Sequence, residues 1–162
     1  MLDQLDNFPI LKKVLESLET NFKDSILDKT FEKNELSVLI KKEDLIGVLT
    51  YLKTEQGFNA LNDMIGIDNL PYAAEGKKRF SVYYQLYRFQ DFQRIRIKVD
   101  TEENEGIDSI VSLYKSSDWA EREIYDMFGI TFSSHPDLRR IYTPDNFEGY
   151  PLRKDFPMEG KK

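Results

Sequence analysis

A chain of 162 residues that is 40% hydrophobic and 13% aromatic can build one packed domain, which excludes an intrinsically disordered segment. It contains no cysteine, so disulfides, a thiolate nucleophile and Cys-ligated zinc or iron-sulfur centres are excluded. A formal net charge of −6 argues against a general nucleic-acid binder, because phosphate contacts need a net or clustered positive surface.

The opening run MLDQLDNFPILKK is acidic and lacks the patterns of a secretory signal or transit peptide. The expectation is a protein that stays where it is made, and the pattern favours a bacterial cytoplasmic origin. No apolar run approaches the roughly 20 residues of a membrane-spanning helix, so membrane association is expected only through a partner. Ile10, Leu11, Val14, Leu15 and Leu18 recur at helical spacing, with Asn7 as N-cap and Pro9 in the first turn. Residues 25–40 read as two short strands around the polar turn Glu32-Lys33-Asn34, since Leu36, Val38 and Ile40 alternate with Ser37 and Leu39. From Lys42 to Gln56, Leu45, Val48, Leu49 and Leu52 form a second helical stripe, and Gly57 is placed to end it.

The middle is strand-rich. Ala60 to Ile67 reads as a short strand beside Asp68, Tyr72 to Lys78 as a polar loop, and Arg79 to Arg88 and Phe92 to Val99 as two strong strands. In the last of these, Ile95, Ile97 and Val99 alternate with Arg94, Arg96 and Lys98, which describes one buried face and one cationic face. That cationic face is either a solvated sheet surface or a binding face.

Gly106 to Ser116 reads as a short helix with the stripe Ile107, Ile110, Val111 and Tyr114. Asp118 followed by Glu121 has capping-box spacing, which predicts a helix from Trp119 to Phe128 that stops at Gly129. On it Trp119 and Glu123 share a face, and Arg122 and Asp126 are spaced for an i,i+4 charge pair. Charge-rich helix faces are commonly solvated, and Glu121, Glu123 and Asp126 near one arginine define no reaction. Beyond Gly129, Pro136, Pro144, Pro151 and Pro157 break every regular element. Phe147, Tyr150 and Phe156 must then fold back on the domain or lie across a partner. His135, the single histidine, has no partner motif, which favours a hydrogen-bonding role over chemistry or metal binding. No GxGxxG or Walker-type run is present, so nucleotide binding has no support.

Three runs together carry a family resemblance. They are Glu121-Arg122-Glu123, then Asp126-Met127-Phe128-Gly129-Ile130, then His135-Pro136-Asp137-Leu138-Arg139-Arg140-Ile141. They closely resemble the signature of the 30 kDa subunit of respiratory complex I, which is the C subunit of bacterial NADH:quinone oxidoreductase. The closing run Phe147-Glu148-Gly149-Tyr150-Pro151-Leu152-Arg153-Lys154-Asp155-Phe156-Pro157 resembles that family's tail, with Tyr150 where the family commonly has His. The strong match covers roughly residues 117–157.

The resemblance implies an α+β fold: a two-layer domain with a mixed β-sheet packed on helices, over residues 1–132, then an extended proline-punctuated tail over 133–162. It implies a peripheral-arm subunit without its own cofactor, with FMN, iron-sulfur clusters and quinone belonging to partner subunits. Those partners are the 49 kDa type subunit and the terminal iron-sulfur subunit, on the cytoplasmic side of the bacterial inner membrane. With the paired cations, it leads us to expect that Arg139, Arg140, Arg153 and Lys154 anchor the chain to partners, that Glu121, Arg122, Glu123 and Asp126 brace the helix that launches the tail, and that His135, Pro136 and Asp155 complete the signature. The tail is expected to be mobile when partners are missing. Three alternatives stay open: the equivalent subunit of a membrane-bound nickel-iron hydrogenase or ferredoxin-driven relative, a stand-alone acid/base enzyme using His135 with Asp137 or the helix acids, and a nucleic-acid adaptor.

Overall fold

The structure is a computed structural model that describes residues 2–71, 76–157 and 159, so the expected polar loop at Tyr72 to Lys78 lies mostly outside the described residues. A 3-10 turn, Leu2–Asn7, leads into α1, Pro9–Asn21. Pro9 occupies the first turn of α1 as the sequence predicts, but Asn7 does not cap it. The residue at the N-cap is Phe8, without a side-chain cap, because Asn7 is drawn into the preceding 3-10 turn.

β1, Ile26–Glu32, and β2, Glu35–Ile40, form the expected antiparallel hairpin. Lys33 and Asn34 both take positive φ, 51° and 65°, which is the two-residue turn whose twist matches paired strands. Next come α2, Leu45–Thr54, and β3, Ala60–Asp68, then β4, Phe80–Arg88, and β5, Gln93–Thr101. The five strands lie in the order β1-β2-β5-β4-β3, with β2 and β5 parallel, so the sheet is mixed and the class is α+β. A separate two-stranded parallel sheet joins β6, Ile107–Asp108, to β7, Phe132–Ser133, with α3, Ser117–Phe128, between them in the chain.

Two compact units result, Met1–Asp63 with Tyr83–Val99 and Met64–Val82 with Asp100–Lys162. In the first, Leu11, Val14, Leu15 and Leu18 of α1 and Leu45, Val48, Leu49 and Leu52 of α2 are buried together with Leu36, Val38, Ile40, Ile95, Ile97 and Val99. Each such side chain contributes about 1.5–3 kcal/mol when it leaves water. In the second, Met64, Phe80, Val82, Ile107, Ile110, Ile124, Ile130 and Phe132 are buried.

The helix expected over Gly106–Ser116 does not form. Its apolar stripe is real, since Ile107, Ile110, Val111 and Tyr114 are all buried, but the backbone is committed elsewhere. The amides of Ile107 and Ser109 donate to the carbonyls of Thr131 and Ser133 at 3.0 and 2.9 Å. Only one helical turn survives, where Tyr114 N–H donates to Ile110 O at 2.8 Å.

Candidate partner-docking site

The second unit is organised around α3. Gly129 ends this helix at φ 74°, a left-handed conformation that glycine adopts without a Cβ penalty. Space demands glycine as well, because a Cβ here would sit 2.6 Å from Tyr150 and from Arg153 Nη2. The chain beyond Gly129 therefore packs directly on the end of α3.

The last carbonyls of α3 have no partner within the helix and carry the negative end of its dipole. The following segment caps them. Arg153 Nε donates to Phe128 O at 2.6 Å, the Leu152 amide to Met127 O at 3.1 Å, and Arg140 Nη1 to Asp126 O at 3.4 Å. Arg153 also stacks over Tyr150 at 4.4 Å and over Phe80 at 5.2 Å, and pairs with Glu103.

Asp126 is the second anchor. Its side chain is fully buried, and Oδ2 accepts the amides of Ile141, Tyr142 and Thr143 at 3.1, 2.7 and 2.9 Å. Oδ1 accepts Arg140 Nη1 at 2.8 Å and the Thr143 hydroxyl. Burial acts to raise the pKa of this carboxyl, but the bonds from Thr143, Tyr142 and Arg140 outweigh it and hold the group well below the usual carboxylate range. Arg140 completes its fork on Gly149 O at 3.0 Å and stacks over Tyr150 at 5.1 Å.

The expected pair between Arg122 and Asp126 is not made. Arg122 donates instead to the carbonyls of Arg139 and Arg140, at 3.2 and 3.5 Å, because Asp126 is saturated by the chain that returns past it. The capping box is not made either. Ser116 is the N-cap residue, and Glu121 Oε1 accepts the Ile110 amide at 2.8 Å rather than reaching back along the helix. Glu121 is fully buried, so the solvated-face reading holds for exposed Glu123 but not for Glu121 or Asp126. Burial raises the Glu121 pKa, only partly offset by hydrogen bonds such as that from Ile110.

His135 is packed between these elements with its side chain fully covered. Nδ1 accepts the Asp137 amide at 3.0 Å, which places the proton of a neutral ring on Nε2, facing Asp118 O at 3.2 Å. Glu121 Oε2 lies 3.9 Å from Nε2. Among the described residues no group of three or more His, Asp or Glu side chains is placed to hold a metal.

A third anchor has no signal in the local sequence. Buried Asp68 accepts the Lys154 amide at 2.9 Å and Arg79 Nη2 at 3.3 Å, and Arg79 reaches on to Asp155 at 2.8 Å. The Arg79 guanidinium holds the Asp155 carboxyl below its ordinary value. Nothing at short range links residues 68, 79 and 155. Of the four cations expected to face partners, Arg140 and Arg153 are thus turned inward, whereas Arg139, paired with Asp137 at 2.9 Å, and Lys154 are exposed. On the same unit Trp119 and Tyr142 are each 67% exposed and Leu152 is 52% exposed. Tryptophan, tyrosine and arginine are the residue types that carry most interface energy. Among the described residues, no helix is long and apolar enough to cross a membrane.

Residues 38–162 match the family model described as respiratory-chain NADH dehydrogenase, 30 Kd subunit. The chain is 50% identical over 128 residues to the NADH-quinone oxidoreductase C subunit of Sinorhizobium medicae, covering 78% of this chain but 62% of that one, less than two thirds of its length. To the C subunit of Trichlorobacter lovleyi it is 42% identical over 149 residues, covering 91% of this chain and 90% of that one. Among solved structures, the trypsin-resistant fragment (1-134) of Nqo5 superposes with a TM-score of 0.70 at 31% identity, covering 80% of this chain and 99% of the fragment. A chain of the membrane-bound sulfane sulfur reductase, an archaeal respiratory membrane complex, shares the fold with a TM-score of 0.75 at 18% identity, covering 91% of this chain and 85% of that one. By the family match and these relatives, this chain belongs to the family of 30 kDa subunits of respiratory-chain NADH dehydrogenase.

Proposed function

We propose that the chain is a cofactor-free peripheral-arm subunit of a proton-translocating NADH:quinone oxidoreductase, and that it scaffolds the 49 kDa type subunit and the terminal iron-sulfur subunit beside the quinone-reducing site. The observation that carries this reading is the anchored segment after α3. Asp126, Arg140, Arg153 and Asp68 hydrogen-bond along the irregular segment 135–157, while Trp119, Arg139, Tyr142, Leu152 and Lys154 stay exposed. Bonds of this kind lower the conformational freedom that the segment has to give up when a partner docks, which favours tight assembly.

In this reading the chain's own residues position and dock and transfer no electron. FMN, the iron-sulfur clusters and quinone belong to the neighbouring subunits, and the chain meets the membrane through the complex, on its cytoplasmic side. A second reading places the same module in another membrane respiratory complex, such as one related to the sulfane sulfur reductase, and the shared fold favours it. Affinity purification of the tagged chain from native membranes, with mass spectrometry of the co-purifying proteins, separates the two. Oxidoreductase subunits with NADH:quinone activity support the first reading, subunits of a sulfur-reducing or hydrogen-evolving complex support the second, and the chain recovered alone counts against both.

A further inference from the structure

The first unit carries a surface that the docking site described above does not use. Period-two alternation buries Ile95, Ile97 and Val99 completely and turns Arg94, Arg96 and Lys98 to the opposite face of β5. Tyr83 and Tyr87 of β4 interleave with these cations. Arg94 sits over the Tyr87 ring at 5.9 Å, and Arg96 and Lys98 sit over Tyr83 at 5.9 and 5.7 Å. Where the strip runs onto β1 and β2, Asp28, Lys29, Thr30, Ser37, Tyr83 and Lys98 line a dent of about 150 Å³.

At its other end, the turn between β4 and β5 extends the strip into solvent. Phe89 is 59% exposed and Phe92 71% exposed, and the Tyr87 ring meets them at 5.2 and 6.4 Å. Phe92 holds φ at 59°, where glycine is the usual residue and an aromatic one is strained. Arg88 fixes this turn from beneath, with its fork on Asp91, Nη1 on Gln56 O at 2.9 Å and its guanidinium over Phe58 at 5.5 Å. The fold thus turns two phenyl rings outward and buries neither.

We propose that this face is a second docking surface, which takes an acidic segment of a neighbouring protein, with apolar side chains against Phe89 and Phe92 and carboxylates along Arg94, Arg96 and Lys98. Charge complementarity selects the occupant. The chain carries −6 overall, and this strip has the opposite sign, with Glu35 bonded to Arg96 and Gln85 on the same face. Exposed phenyl groups beside arginines fit a protein anchor better than a phosphate backbone, which would meet the net negative charge. The inference rests on the reading of the chain as a subunit of a larger assembly.

The test places a photo-reactive benzoylphenylalanine at Phe92, and separately at Tyr142 of the first surface, in cells that carry the assembled complex. The expected result is that the Phe92 probe joins one peptide of another protein, rich in Asp and Glu. Arg94→Glu should lower that yield about tenfold without changing the yield at Tyr142. Capture at Tyr142 with none at Phe92, or capture at Phe92 of RNA, lipid, a basic segment or a second copy of this chain, would overturn the inference and leave the subunit reading standing. No capture at either position would remove both. Phe92→Gly should raise the melting temperature of the isolated chain while it weakens incorporation into the complex. If both fell together, Phe92 would be structural and the surface would not be a docking site.

Discussion

Arg140 and Asp126, fourteen residues apart, meet at 2.8 Å inside the second unit, and the same carboxylate gathers three consecutive amides from Ile141 to Thr143. One buried group on α3 thereby sets the path of the chain that follows. Breaking a buried pair by removing one charge commonly costs about 3–5 kcal/mol. Asp126→Asn should therefore destabilise the chain by about 3 kcal/mol in urea unfolding and open residues 135–157 to protease. Its folded pKa lies below the ordinary 3.8, so the stabilisation is complete above that value and is lost only as pH falls through the depressed one. The stability gap between the native chain and Asp126→Asn should therefore be widest above that value and should close as pH falls through the depressed one.

Glu121 titrates with the opposite sign. Its folded pKa lies above the ordinary 4.5, so stability is highest with the carboxyl neutral and falls as pH rises from 4.5 through the raised value. Glu121→Gln keeps an oxygen for the Ile110 amide and removes the buried charge. Thermal melts should show the variant more stable than the native chain at about pH 8, with the difference closing towards about pH 4.

Gly129→Ala should cost about 2 kcal/mol or more, because it combines left-handed backbone with a Cβ placed 2.6 Å from Tyr150 and Arg153. Gly57→Ala shares the positive φ but meets Arg88 only at 3.4 Å, so it should cost less. Paired urea titrations of the two variants measure the difference.

Trp119→Ala should separate folding from assembly. The side chain is 67% exposed and leans on Arg122 at 5.1 Å, so stability should change by about 0.5 kcal/mol or less. As an interface anchor it should cost about 2 kcal/mol of binding, read as a roughly thirtyfold weaker incorporation into the membrane complex.

Local pattern made the hairpin legible, since Lys33-Asn34 and the alternation Leu36, Val38, Ile40 specify turn and register together. The cores of α1 and α2 were legible for the same reason. The segment 106–116 misled because Ile107, Ile110, Val111 and Tyr114 have helical spacing, yet their burial comes from turns and a short parallel strand whose partners, Thr131 to Ser133, lie far along the chain. At the candidate site the residue set was legible, and the directions of its side chains were not. Arg122 with Asp126 is the natural pair on an isolated helix, and only the returning chain hands Asp126 to Arg140 and leaves Arg122 two carbonyls. The anchor formed by Asp68, Arg79 and Asp155 joins three distant stretches and leaves no trace at short range.

The decisive measurement for the subunit reading is NADH:quinone oxidoreductase activity in membranes from cells that lack this chain, with and without the chain restored. Activity should be lost with the chain and return with it. Undiminished activity in its absence would rule out a required place for this chain in that complex.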